Sequence, residues 1–126
     1  MSRAELDERG MPAGWPMHES IELGPGRVKS MLDAGEEITL LDCRLPREQA
    51  VAEIRGALLI PMQELADRIE ELEDYQDRKL VVFCHAGVRS MKVAVFLRER
   101  GFEDVWSMAG GIDLWSQVID LSVPRY

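Results

Sequence analysis

The 126-residue chain predicts an α/β domain: an open, mainly parallel five-stranded sheet with helices on both faces. Three observations carry this expectation. Short apolar, strand-like runs alternate with helix-like segments, the order that a parallel sheet with crossover helices requires. Residues 38–43 and 79–83 are close to continuously apolar, as strands covered on both sides are. The length suits one domain able to bury a sizeable core.

The elements follow in order. Residues 1–17 carry Gly10, Pro12, Gly14 and Pro16 among polar residues and show no period. They read as an irregular arm pinned by Trp15, ahead of a folded domain over residues 18–126. Residues 20–23 form a strand, and Gly24-Pro25 opens a helix with proline in its first turn. That helix reaches about Ala34, sets Val28, Met31 and Leu32 on one face, and stops at Gly35. Residues 38–43 are the second strand, 46–52 a short helix, and 57–60 the third strand before Pro61. A helix over 63–72 follows from Leu65, Ile69 and Leu72 at helical spacing. Residues 79–83 are the fourth strand. Residues 89–100 form a helix closed by Gly101, with Arg98 and Arg100 suited to its negative end. Residues 105–108 make the fifth strand and 111–118 the last helix. There are no repeats or low-complexity segments.

Composition narrows the function. The hydrophobic fraction of 46% and charged fraction of 30% are ordinary for a globular protein. Apolar stretches such as 57–60 and 80–83 fall far short of the roughly 18 residues a membrane helix needs, so no membrane partner is expected. Residues 1–10 are polar with mixed charge and lack a charged-then-apolar secretory pattern, so a cytoplasmic location is expected. The two cysteines, Cys43 and Cys84, are too few for a disulfide scaffold. In a reducing compartment both are thiols. No Cys-x-x-Cys or Cys/His cluster offers a metal site, and no cofactor is expected. A net charge of −8 argues against nucleic acid as a partner. It also means that any anion site must be made locally, by loop amides and nearby arginines. The acidic run over residues 70–74 reads as solvated helix surface.

The chemistry concentrates in Val81-Val82-Phe83-Cys84-His85-Ala86-Gly87-Val88-Arg89-Ser90-Met91. An apolar strand ends on a cysteine, a short loop follows, and an arginine opens an amphipathic helix. Backbone N–H groups at a helix start, with the helix dipole, favour an anion at the sulfur. Cysteines so placed have pKa values lowered from about 8.5 to roughly 3.5–7.5, so Cys84 is a candidate nucleophile. The competing reading makes Cys84 a buried core residue that happens to end a strand. In open parallel sheets ligands gather at the carboxyl ends of strands, where Cys84 sits. Gly87 suits a tight loop that needs positive φ. Arg89 is expected to fold its planar guanidinium back onto the loop or a bound donor, because an arginine in a first turn opposes the dipole and asks for a reason.

Taken together these residues resemble a single-domain rhodanese, a sulfurtransferase, over roughly residues 19–126. Cys84-His85-Ala86-Gly87-Val88-Arg89-Ser90 is similar to the family's C-x-x-G-x-R-S loop. Leu41-Asp42-Cys43-Arg44 with Pro46 and Glu48 resembles its Asp-Val-Arg-x-Pro-x-Glu segment, and 56–61 its Gly-Ala-x-x-Ile-Pro stretch. Ala109-Gly110-Gly111-Ile112-Asp113-Leu114-Trp115 is similar to its Gly-Gly-x-x-x-Trp signature. The tail over 118–126 resembles stand-alone rhodaneses and those fused to enzymes that activate sulfur carriers. Two departures stand out: Cys43 where the family usually has valine, and Glu53 where it often has histidine.

The resemblance implies transfer of sulfane sulfur from thiosulfate or a persulfide donor to a thiol, cyanide or protein acceptor through a Cys84 persulfide. Small donors and acceptors are the expected partners, with a sulfur-carrier or persulfide-donor protein as a further candidate. The expected site is the loop His85, Ala86, Gly87, Val88, Arg89 and Ser90 around Cys84. By resemblance, Asp42 and Arg44 support the loop through hydrogen bonds or ion pairing, a role no more favoured than a purely structural one. His85 either adds positive charge or transfers a proton, or stands by with its side chain in solvent. Ala86 and Val88 are small and uncharged, so weak capture of small dianions is expected, with thiosulfate a serviceable assay substrate rather than the physiological donor. Trp106 and Trp115 read as core. Cys43 reads as buried filler, with a resolving thiol as the other option.

Two rival classes remain. Cysteine-dependent phosphatases and arsenate reductases resemble a C-x5-R pattern, whereas four residues separate Cys84 from Arg89. That smaller cradle suits one added sulfur better than a tetrahedral oxyanion, and no leaving-group acid is evident. A rhodanese-like interaction or sulfur-relay module is the other. The sulfurtransferase reading requires Cys84 to be ionised and within reach of solvent.

Overall fold

The computed structural model describes residues 5–126; the first four residues of the expected arm lie outside the described residues. The chain runs β1 (Glu22–Leu23), α1 (Pro25–Asp33), β2 (Ile38–Asp42), α2 (Pro46–Val51), β3 (Leu58–Leu59), β4 (Lys79–Phe83), α3 (Val88–Glu99), β5 (Val105–Met108) and α4 (Gly111–Val118). The sheet order is β1-β5-β4-β2-β3, and every pair is parallel, which sharpens the expected mainly parallel sheet. β2 and β4 lie side by side at its centre, in register from Ile38 opposite Lys79 to Asp42 opposite Phe83. Such placement is what continuous apolar runs dictate, since central strands are covered on both sides.

The two faces carry separate cores. On one, Leu40, Val81 and Phe83 pack with Val28 of α1 and Ile112, Leu114, Trp115 and Val118 of α4. On the other, Leu41, Cys43, Leu80, Val82, Cys84 and Val105 pack with Val93, Ala94 and Leu97 of α3. Alternation along β2 and β4 therefore sends both cysteines to the α3 side.

Two expectations need correction. The helix expected over 63–72 is a pair of 3-10 segments, Met62–Glu64 and Ala66–Tyr75, kinked at Arg68 with φ −119° and ψ 16°. Ile69, Leu72 and Tyr75 face the core at a spacing of three, which a 3-10 turn places on one line. The acidic run over 70–74 opposes an α-helix whose negative end would lie there. In the arm, Trp15 is 43% exposed and lies outside the core, whereas Met11, 1% exposed, enters it with Val28. The Gly10 carbonyl accepts from Gly26 N at 3.0 Å, so the arm docks on the first turn of α1. Among the described residues no helix is long and apolar enough to cross a membrane.

Candidate active site

Cys84 is the first residue beyond β4, and α3 begins four residues later. Gly87, at φ 106°, makes the turn between them in a conformation that L side chains rarely adopt. That turn aims donors at the sulfur. Gly87 N lies 3.1 Å and Ser90 N 3.4 Å from Cys84 Sγ. The Ser90 hydroxyl, also 3.4 Å away, donates to the sulfur when it is a thiolate. Ser90 Oγ is in turn 2.7 Å from the hydroxyl of Ser107 on β5. With Ser107 donating to Ser90, the Ser90 proton is left for the sulfur.

The loop is gripped from behind. Ile112 N donates to the Cys84 carbonyl and Asp113 N to the His85 carbonyl, both at 2.9 Å. These are first-turn amides of α4, whose helical partners do not exist, so the loop carbonyls satisfy them. Gly111 permits the approach: a Cβ there would run into the His85 carbonyl and come within 2.6 Å of the Cys84 oxygen, at a φ of 61°. With carbonyls held outward, amides turn inward.

The sulfur is ionised by these surroundings. Cys84 is brought down to about 4, chiefly by the neighbouring Cys43 thiol, with the Ser90 hydroxyl and the Ser90 and Gly87 amides adding to it against the opposing effect of burial. Cys43 moves the other way, held protonated by the neighbouring Cys84 sulfur and by burial. Cys84 is only 1% exposed. These surroundings favour the thiolate that a nucleophile needs, while the resting geometry keeps the sulfur out of reach of solvent.

Charged side chains form a rim beside the loop. Arg89 donates to both carboxylate oxygens of Glu48, at 2.8 and 2.9 Å. Leu45 N and the Tyr126 hydroxyl also donate to Glu48, at 3.2 and 2.7 Å. Arg89 foremost, with Tyr126 and Leu45 adding, holds Glu48 down to about 2 against its partial burial. Arg44 is fully buried and donates to both oxygens of Asp42, at 2.9 and 2.7 Å, to Ala52 O at 2.7 Å and to the Tyr126 hydroxyl at 2.9 Å. Burial opposes its charge, and the Asp42 and Tyr126 bonds more than offset that. The Tyr126 ring meets the His85 ring edge-on, with centroids 4.4 Å apart.

The family model for the rhodanese-like domain matches residues 24–118. The chain belongs to the rhodanese-like family. This rhodanese-like chain is 34% identical over 93 residues to the tRNA uridine(34) hydroxylase of Cytophaga hutchinsonii, covering 71% of its own length and 30% of that protein. It thus spans under a third of that longer relative. It is also 34% identical over 96 residues to a sulfurtransferase of Allochromatium vinosum, covering 76% of itself and 88% of that protein. Among solved structures, reduced Bacillus anthracis CoADR-RHD superposes with a TM-score of 0.72 at 28% identity, over 82% of this chain and 18% of that one.

Within this rhodanese-like fold the expected loop residues surround Cys84, but several side chains go elsewhere. Arg89 does not fold back onto the loop; its guanidinium is taken by Glu48. His85 is not turned into solvent: it is half-buried under Tyr126, and its Nδ1 is buried without a hydrogen-bond partner among the described residues. Ala86 and Val88 are exposed at the loop surface. Asp42 and Arg44 pair with each other and with the tail, and their hydrogen bonds to side chains do not extend to the loop. Trp115 is core, while Trp106 is half-buried between Arg98 and Lys79, 4.9 and 5.9 Å from its ring centre. Sequence reasoning missed Glu48 and Tyr126 as the partners of the arginines, Ser107 behind Ser90, and the carbonyl-gripping role of Gly110-Gly111. For the last, a signal existed: paired glycines at a helix start, the second of them opening the helix, mark a close backbone approach.

Proposed function

We propose that the chain moves sulfane sulfur through a persulfide on Cys84. The observation that carries this reading is a cysteine at a strand end, faced by Gly87 N, Ser90 N and the Ser90 hydroxyl within 3.4 Å, an arrangement that favours its thiolate. The Cys84 thiolate attacks the outer sulfur of a donor persulfide. A new S–S bond forms at Cys84, the donor's S–S bond breaks, and its electron pair leaves with the donor thiolate. The loop amides that hold the thiolate stabilise the charge carried by the resulting persulfide. An acceptor thiolate, cyanide or protein thiol then takes the outer sulfur and returns Cys84 to its starting state.

A persulfide donor is favoured over thiosulfate because both arginines near the loop are neutralised, Arg44 by Asp42 and Arg89 by Glu48. A dianion would meet no unpaired guanidinium there, within a chain of net charge −8. Arg89 turned outward also removes the side chain that a phosphatase reading would place over a tetrahedral oxyanion. Because Cys84 is 1% exposed, the loop has to open or the donor has to be slim.

The test is intact mass after incubation with a low-molecular-weight persulfide. One added sulfur is expected in the wild type and in Cys43→Ser, and none in Cys84→Ser. No gain with any donor leaves a binding module instead, and hydrolysis of an aryl phosphate promotes the phosphatase.

A further inference from the structure

We infer that Cys43 is a positioning residue for Cys84, its S–H serving as a donor that turns between the Cys84 sulfur and the Phe83 carbonyl as the charge on Cys84 comes and goes. This deepens the sulfur-transfer reading and rests on it for the turnover step, though not for the donor itself.

The geometry carries the inference. β2 and β4 are in register up to Asp42 opposite Phe83, and Cys43 N donates to Phe83 O at 3.1 Å, so the ladder continues one step past both strands. The next pair in register is Cys43 and Cys84. Facing residues of a parallel pair project to the same side, on strands about 4.8 Å apart. Both cysteines accordingly lie in the α3-side core, each 1% exposed. A thiol has a single hydrogen and no charge to desolvate, so it is a donor that a dry site can hold at little cost. Here that hydrogen has two acceptors. Phe83 O lies 3.4 Å from Cys43 Sγ, and the Cys84 side chain is the facing one in the next pair of the register.

Charge decides between them. With Cys84 as a thiolate, the full negative charge outcompetes a carbonyl dipole and takes the proton donor. With an outer sulfur attached, the charge sits on that atom, and the S–H relaxes to Phe83. Cys43 therefore stabilises the sulfur-free state selectively. Other groups remain around the pair: Ser90 and Arg89 on α3, Ser107 on β5, Asp42 next to Cys43, His85 next to Cys84, and Glu22 of β1, whose carboxylate faces Gly87. These are unchanged by a substitution at position 43 and set the background.

The experiment is the pH dependence of Cys84 alkylation by iodoacetamide, with the modified residue located by peptide mass, in wild type, Cys43→Val and Cys43→Ser. Valine fills the site without a donor; serine restores one. The midpoint is expected to rise by about one unit or more in Cys43→Val, so that the thiolate fraction below both midpoints falls about tenfold. Cys43→Ser is expected to stay near wild type. A Cys43→Val midpoint equal to wild type, in a variant whose circular dichroism and melting show it folded, overturns the inference. A Cys43→Ser midpoint that matches Cys43→Val overturns it as well. Neither readout uses sulfur transfer, so failure of the proposed function leaves this result separately readable.

Discussion

The inside of the Cys84 loop and the rim a few residues away solve opposite charge problems with different means. Inside, an anion is held by neutral donors: two amides, a serine relayed by a second serine, and a thiol. Beside it two guanidinium groups are matched by two carboxylates, Arg44–Asp42 buried and Arg89–Glu48 at the partly exposed rim, with Tyr126 joining both pairs. These two arginines are thus not what ionises it by contact. Neutral donors do that work, the Cys43 thiol and the Ser90 hydroxyl ahead of the Ser90 and Gly87 amides, and the ion pairs hold α2, α3 and the tail together around it.

The comparison can be attacked first through the geometry that aims the dipoles. Gly111→Ala forces a side chain into the Cys84 and His85 carbonyls at a positive φ, so a loss of about 3 kcal/mol or more in denaturant melts is expected, with sulfur uptake lost at temperatures where the variant stays folded. If that variant loads sulfur like wild type, the grip of α4 does not aim the loop. Next in size, Ser90→Ala removes a donor to the sulfur. Its alkylation midpoint should rise by about one unit from a wild-type value near 4, and Ser107→Ala should rise by less, since it acts through Ser90.

The rim is probed by Glu48→Gln. Freeing Arg89 should raise the rate of sulfur uptake from thiosulfate a few-fold, leave uptake from an uncharged persulfide unchanged, and leave the Cys84 midpoint in place. A shifted midpoint would show that the two regions are electrically one. Glu48 also gives the rim a pH signature. Its carboxyl is depressed in the fold, so its contribution is complete above the unfolded value near 4.5 and is lost as pH falls through about 2. After solvent screening this amounts to on the order of 1–2 kcal/mol, visible as a steeper acid decline in melting temperature for wild type than for Glu48→Gln. The smallest effect is expected for Tyr126→Phe, which keeps the ring against His85 but removes the hydroxyl shared by Glu48 and Arg44: about 1 kcal/mol, read by melting, with sulfur uptake unchanged.

Much of the fold was legible in the residues because its signals are local. Residues 105–108 and 111–118 form the strand and helix expected of them, and the largely apolar runs around 38–43 and 79–83 lie at the sheet centre. The 3-10 segments were hidden because a spacing of three serves both helix types. In the site, the loop around Cys84 announced itself by strand end, glycine and helix start. Its partners did not. Glu48 and Arg89 are 41 residues apart and Arg44 and Tyr126 are 82 apart, and no periodicity reports such pairs. Cys43 looked like filler because its neighbour across the sheet is known only once β2 and β4 are in register.

The neutral make-up of the loop interior has one further outcome. Dipoles locked in a buried backbone cannot be shielded by mobile counterions, whereas ion pairs at a partly exposed rim can. Raising ionic strength should therefore loosen the fastening of α2 and the tail while the acidity of Cys84 stays constant, so the reactive sulfur keeps its character in dilute and concentrated electrolyte alike.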